Sequence, residues 1–311
     1  MSARILALLA LADEAPEAEE LAEELAEELA EYLADPEPGV RRTALTVLSE
    51  ATEDWAHGST PVATALLDPD PSVRATAAVL LAELREVLVA GEEFTAALSQ
   101  ATTHADPAVR AAAVGALWRH HRIAAKEAER HLADPDPRVR AEAVHGLVSL
   151  HAVEPLDTAA ADPSAEVRTA VAGGLGTLGD PRGASALAEL ATDPDTAVAA
   201  AAFTALAETG CPPKAAALAT QALRQRDWQV REAAAKALAA ALAELAAAPL
   251  TAATRDQNLD VRKAAVRSLG HLAPDDPEVP AALRTATEDP DADVRAYARH
   301  ALRRYPNPSE R

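Results

Sequence analysis

Nine times the chain returns to versions of one seven-residue phrase, Asp-Pro-x-x-x-Val-Arg. Its Arg position falls at Arg41, Arg74, Arg110, Arg140, Arg168, Ala199, Arg231, Arg262 and Arg295. Successive copies lie 33, 36, 30, 28, 31, 32, 31 and 33 residues apart, about one helix-turn-helix unit each. A unit of that size cannot bury an apolar helix face alone, so the copies are expected to stack into one quasi-linear body spanning 1–311. The repetition overrides the two domains that a length of 311 residues would otherwise suggest.

Each phrase closes one helix and opens the next. Three residues before the Val stand Glu37, Asp70, Asp106, Asp136, Ser164, Asp195, Asp227, Asn258 and Asp291. All but Glu37 are residue types that cap a helix N-terminus by accepting from its free N–H groups. Pro38, Pro71, Pro107 and Pro137 follow at the first helical position. Two residues before the cap lies a second acid, often followed by a Pro that ends the preceding helix. After Val-Arg the apolar positions fall at i, i+4, i+5 and i+8, one stripe of a helix, as in Val139, Ala143, Val144 and Leu147. Positions one, two and five past the Arg are expected to be exposed. Long second helices are expected near 71–90 and 228–247, where no breaker intervenes.

The phrase, its period and the Ala-x-x-Leu tail resemble HEAT repeats, above all the short bacterial kind found in phycobilin lyase subunits. The resemblance runs from about residue 17 to 305. It implies an all-α fold, an α-solenoid wound as a right-handed superhelix of about nine helical hairpins. Residues 1–16 would form an N-terminal capping helix and 306–311 a flexible tail. It also implies that acid and Arg build a hydrogen-bonded ladder between repeats. Carried over, the complete sets are Asp35 with Arg41, Asp68 with Arg74, Asp134 with Arg140, Asp162 with Arg168, Asp256 with Arg262 and Asp289 with Arg295. Arg110 and Arg231 keep the Arg, but His104 and Gln225 replace their acids, and Ala199 replaces the Arg after Asp193. A weakened ladder is expected around repeats three, six and seven. Such a column looks like catalysis or phosphate binding, yet a structural ladder accounts for every copy at once.

Composition narrows function mainly by exclusion. The net charge is −20, the wrong sign for a nucleic-acid binder. Residues 1–155 hold 12 Lys+Arg against 28 Asp+Glu, and residues 156–311 hold 17 against 21, so the surface is bipolar. No apolar run approaches a bilayer's thickness. The stretch from Arg4 to Ala12 resembles a very short signal core but fits a capping helix better. The single Cys211 allows no intramolecular disulfide and fits a reducing cytoplasm. Ala and Arg usage points to a GC-rich bacterial genome.

Five of the nine histidines lie within 120–151. His121 and His151 stand eleven residues past their Arg, roughly 10 Å apart on neighbouring helices, too far to share a metal without a further ligand. The chain has no His-Glu dipeptide, the mark of iron-binding HEAT hydroxylases, and no Ser-His-Asp grouping or Gly-rich phosphate loop. In HEAT proteins the second helices line the concave side. Here the position five past the Arg gives Thr46, Val79, Gly115, His145, Gly173, Thr204, Lys236, Arg267 and His300. The C-terminal third of the groove is basic through Lys236, Arg267 and His300 with Lys263 in the column beside them, and with Tyr297 nearby, which would favour an acidic segment. Trp118 and Trp228, each beside Arg, have interface composition.

The sequence therefore leads to a non-enzymatic, cytoplasmic scaffold or adaptor that binds a partner protein or peptide on its concave face. The residues involved would be Trp118, His145, Trp228, Lys236, Lys263, Arg267, Tyr297 and His300. Neither a cofactor nor a metal is implied, and neither nucleic acid nor membrane is expected as partner. The alternatives are a phycobilin-lyase-like chaperone subunit and, further off, a HEAT-like DNA-repair or metal-dependent enzyme.

Overall fold

The tandem phrases fold as helical hairpins in the computed structural model, which describes residues 3–13, 29–51, 55–272 and 278–305. Among these, helices are the only extended regular elements. They group into two compact units, Met1–Leu150 and His151–Arg311. The architecture is an all-α solenoid.

The first unit holds α1 (Ala3–Asp13), a helical stretch at 29–33, α2 (Pro38–Ala51), α3 (Trp55–Thr64), α4 (Pro71–Glu83), α5 (Glu92–Ala101), α6 (Pro107–Arg119), α7 (Ala125–His131) and α8 (Pro137–Ser149). Its second helices α2, α4, α6 and α8 pack in series, and α1 packs on α2. The second unit holds α9 (Glu154–Ala159), α10 (Ala165–Leu178), α11 (Ala184–Leu190), α12 (Thr196–Thr209) and α13 (Pro213–Ala222). It continues through α14 (Trp228–Leu238), α15 (Ala243–Ala253), α16 (Leu259–His271), α17 (Glu278–Ala286) and α18 (Ala292–Leu302). Here α10, α12, α14, α16 and α18 form the second-helix row, and α11, α13, α15 and α17 the first-helix row. The expected tail at 306–311 and most of the first helix of repeat one lie outside the described residues.

The capping chemistry is as the phrase predicts. Asp70, Asp106, Asp136, Asp195, Asp227, Asn258 and Asp291 each accept a backbone N–H from the first turn of the helix they precede. Ser164 makes no such side-chain bond. The apolar stripe is buried in the first hairpin and in the third to eighth, as with Val139, Ala143, Val144 and Leu147, while Ala78 in the second and Leu302 in the ninth are half-buried and Arg299 interrupts the ninth. Burying a Leu or Val side chain contributes about 1.5–3 kcal/mol. With so few aromatics, Phe94 and Phe203 are the largest fully buried side chains, and Ala or Gly faces let the helices approach closely.

Two expectations fail. The long second helices stop at Glu83 and Leu238 instead of running to 90 and 247. Propensity permits continuation there, but packing does not. The chain turns so that Leu88 is buried and Val89 can donate to the buried Ser59 Oγ at 2.8 Å. After α14 it turns so that Ala246, Ala247 and Leu250 enter the core of the next hairpin. The position one past the Arg is exposed only at Arg42, Ala75 and Ala296, with Ala141 buried, and the position two past it is also not generally exposed. Ala233 and Ala264 are buried there, Thr43, Thr76, Ala112, Glu142, Ala170 and Ala201 are half-buried, and only Tyr297 is exposed. That helix face meets the preceding repeat.

Candidate functional site

The repeated Arg does two jobs with one guanidinium. In all eight copies that keep it, Nη1 donates to the carbonyls six and five residues upstream, closing the turn of its own hairpin. Arg41, for example, reaches Asp35 O at 2.7 Å and Pro36 O at 3.2 Å, and Arg295 reaches Asp289 O and Pro290 O at 2.8 Å each. Arg140 makes the same bonds to Asp134 O and Pro135 O. The other edge, Nε and Nη2, points at the next repeat. There it chelates a carboxylate: Arg41 on Asp68, Arg110 on Asp134, Arg168 on Asp193, Arg231 on Asp256 and Arg262 on Asp289. All these bonds fall between 2.6 and 3.2 Å. The acid of each repeat meanwhile accepts the N–H two residues on, as Asp162 does from Ser164 N at 2.8 Å. Side chain meets side chain one repeat out of step with the Asp/Arg spacing of six, and within a repeat the Arg meets only backbone.

This register changes the meaning of the departures. An Arg at 199 would reach the acid position at 225, so Ala199 and Gln225 belong to one rung. Both partners are gone and neither leaves a buried charge alone, which is the costly case. At the other departure Arg74 keeps its anchors on Asp68 O and Pro69 O. His104 Nδ1 accepts Asp106 N at 3.0 Å, replacing the aspartate in the turn but not as an acceptor for the fork. Arg74 Nε is buried without an acceptor, and Nη2 lies 3.6 Å from Asp106 Oδ2. His104→Asp is therefore expected to complete the rung and raise stability by about 1–2 kcal/mol. The check is the urea midpoint; no rise would show that Arg74 cannot reach a carboxylate at 104. Before the first repeat, α1 supplies the missing cation: Arg4 Nε lies 2.9 Å from Asp35 Oδ2.

The electrostatics agree with a structural ladder. Burial pushes Asp68, Asp134, Asp256 and Asp289 upward, but the Arg fork and a backbone N–H outweigh it and hold each below the ordinary aspartate range. At Asp193 the hydrogen bond from Arg168 is the largest influence, and that carboxyl too is lowered. These groups stay ionised and satisfied, with no free acid or base between them.

On the second-helix face Thr46, Val79, His145, Gly173, Thr204, Arg267 and His300 are exposed, Lys236 is half-buried and Gly115 is buried. A Cβ at Gly115 would stand 2.4 Å from Arg119 Nη1 and 2.9 Å from Glu142 Oε2. The glycine makes room for a bridge between α6 and α8. In it Trp118 Nε1 donates to Glu142 Oε2 at 2.7 Å, and Arg119 Nη2 bonds Glu142 at 3.2 and 3.3 Å. The Arg119 guanidinium also stacks 4.6 Å from the Trp118 ring, and His145 lies 5.8 Å away on the other helix. Glu142 was missed because it sits two past its Arg, at a position read as solvent.

Two of the basic residues at the C-terminal end carry acidic partners. Lys236 pairs with Glu232 at 2.6 Å, and Lys263 pairs with Asp293 at 2.8 Å and lies 3.7 Å from Asp291. Arg267 stacks over Tyr297 at 5.3 Å. Trp228 opens α14 with 38% of its surface exposed.

The histidines do not converge. Among the described residues no three His, Cys, Asp or Glu side chains come together as a metal site would require. His121 and His151 occupy left-handed backbone positions after α6 and α8, with φ of 55° and 56°, the place where a helix more often takes Gly. His120 lies edge-on to Phe94 at 5.3 Å, and burial lowers its pKa, as it does that of His131. Burial raises the Cys211 thiol to about 11, far from a reactive thiolate. No helix among the described residues is long and apolar enough to cross a membrane.

Comparison with known proteins points one way. The HEAT repeats family matches residues 153–239 and 216–303. Among curated proteins no sequence matches. An engineered protein of known structure aligns over 96% of this chain and 94% of its own, at 20% identity and a TM-score of 0.60. Kap95p, solved bound to RanGDP, aligns over 97% of this chain and 49% of its own, at 15% identity and a TM-score of 0.60. The CpcE and CpcF complex of phycocyanin lyase from Nostoc sp. PCC7120 reaches only 0.45, over 58% of this chain and 76% of that one at 22% identity, too remote to bear on function. With its hairpins and its Arg–Asp rungs the chain is similar to the HEAT-repeat proteins, and residues 153–303 carry HEAT repeats.

Proposed function

We propose that this chain is a non-enzymatic scaffold whose second-helix face receives a segment of a partner protein. The observation that carries the reading is the use made of the reactive-looking residues. Apart from the forks of Arg74 and Arg295, the recurrent Arg and Asp are consumed by each other and by backbone, while the column five past the Arg stays open to solvent in most repeats. The same fold in Kap95p is engaged with another protein, which supports the reading. Within the column Arg267, stacked on Tyr297, is the cation best placed for an acidic segment, because Lys236 and Lys263 are already paired. Trp228 adds an exposed aromatic surface of the kind that anchors interfaces.

The test is a photocrosslinking amino acid placed at Gly173, Thr204 or His300, and at Glu244 on a first helix, in the native host. Crosslinks to defined proteins from the first three positions but not from Glu244, lost in Arg267→Glu, are the expected result. Equal yields from both helix rows would overturn the assignment. Lys263→Glu is unsuitable for this purpose. It would set a carboxylate beside Asp291 and Asp293 and disturb the stack itself.

A further inference from the structure

The outer ridge of α18 carries an unfilled copy of the rung. In the repeats before it, the helix face turned toward the next repeat is built from the Arg and the positions four and eight beyond it. The +4 residues Leu45, Val114, Val144, Ala172, Phe203, Ala235 and Val266 are buried, and Ala78 is half-buried. At +8, Gly176 and Gly270 lie so close to the following helix that an added Cβ would stand 2.9 Å from Ala205 Cβ and 3.0 Å from Ala301 Cβ. On α18 and at the residue that caps its C-terminus, those three places are Arg295, Arg299 and Arg303. Arg299 and Arg303 are exposed. Arg295 holds the same backbone anchors as every other copy, so its Nε and Nη2 edge is oriented as in the filled rungs. No carboxylate among the described residues meets it.

The geometry points to this ridge as a receptor for carboxylates presented by an acidic segment of a partner protein, with an Asp or Glu entering the Arg295 fork and neighbouring acids meeting Arg299 and Arg303. The ligand class follows from the molecule itself: in five places the same anchored fork chelates an aspartate in bidentate fashion, a charge-assisted geometry. Three positive charges on one ridge of a protein of net charge −20 supply complementarity to a short acidic stretch. A nucleic-acid strand would be repelled by the rest of the surface. Another HEAT hairpin packed in the usual way is opposed by guanidinium groups where Val266 and Gly270 stand one repeat earlier. This assignment shares with the proposed function only the premise that the chain acts through protein contacts. It uses a different face from Arg267.

The test is fluorescence anisotropy of the full chain with a labelled Ala-based helical peptide bearing Glu at i, i+4 and i+8. A Gln-substituted peptide and an oligothymidylate of similar length serve as comparison probes. The Glu peptide is expected to bind at least about tenfold more tightly than the Gln peptide, and Arg299→Gln to remove most of that difference. Arg295→Lys keeps the charge and loses the fork, and is expected to weaken binding several-fold, while the remote surface variant Arg85→Gln leaves it unchanged and Arg267→Gln serves as the second-helix comparison. Arg299 makes no described side-chain bond, so loss of folding is not expected to confuse its result. Equal binding of the Glu and Gln peptides, tighter binding of the oligothymidylate, or a loss seen only in Arg267→Gln would each overturn the assignment. In the last case the second-helix column would stand and the ridge would fall.

Discussion

Asp256→Ala is expected to cost about 3 kcal/mol, because it strips the Arg231 fork of its only carboxylate. Both side chains of that rung are about 15% exposed, so the orphaned guanidinium regains little hydration. The substitution also removes the Oδ1 that accepts Asn258 N at 2.8 Å, loosening the turn that opens α16. The damage should appear as faster hydrogen exchange in α14 and α16 and a lower urea midpoint. Arg231→Ala with Asp256→Ala should cost less than the two singles added together, since no buried charge then stands alone. A midpoint within error of the unsubstituted chain would mean that the rungs are ornamental. The same linkage sets the acid limit. Asp68, Asp134, Asp193, Asp256 and Asp289 all have folded pKa values below their ordinary one. Their contribution is complete above the unfolded aspartate pKa of about 4 and is lost as pH falls through the lower folded values. Stability should therefore hold from neutrality to roughly pH 4 and decline below it. Asp256→Asn should flatten part of that decline.

Gly176→Val is expected to be comparably damaging for a different reason, and the measurement is again the denaturation midpoint. A Cβ at this position would lie 2.9 Å from Ala205 Cβ and 3.0 Å from Ala205 Cα. The second atom is backbone, so relief requires α10 and α12 to move apart. Overpacking of this kind costs about 1–3 kcal/mol, and a β-branched residue belongs at the upper end. Gly173, three residues earlier on the same helix, has nothing within 4 Å of its would-be Cβ. There Gly173→Ala should stabilise by about 0.5–1 kcal/mol through helix propensity alone. Opposite signs from two glycines one turn apart would show that close helix approach is what the repeat requires. If both substitutions stabilise, the approach of α10 and α12 is looser than described.

Much of the hairpin could be read from the phrase. The caps at Asp70, Asp106, Asp136, Asp195, Asp227, Asn258 and Asp291, and the buried Val-x-x-x-Ala-Val-x-x-Leu stripe, follow from local hydrogen bonding and a helical period. The ends of α4 and α14 could not be read so, because residues 84–90 and 239–242 contain no breaker and turn only to feed the next hairpin's core. The bridge of Trp118 and Arg119 onto Glu142 was equally hidden. It joins residues more than twenty apart, and the Gly115 that makes room for it looks like any small residue in a list.

What the residues alone determined is the unit: where each helix starts and stops, which stripe is apolar, and which Arg and Asp recur. Those depend on neighbours within about eight positions, and periodicity exposes them. Only the tertiary structure decided the partners. A guanidinium has two hydrogen-bonding edges, and spacing cannot tell which edge meets its own repeat and which meets the next. Stacking assigned Nη1 to the local backbone and the fork to the following acid. It thereby united Ala199 with Gln225 in one absent rung, left Arg74 short of an acceptor, and turned the Arg295 fork outward with no carboxylate among the described residues to fill it.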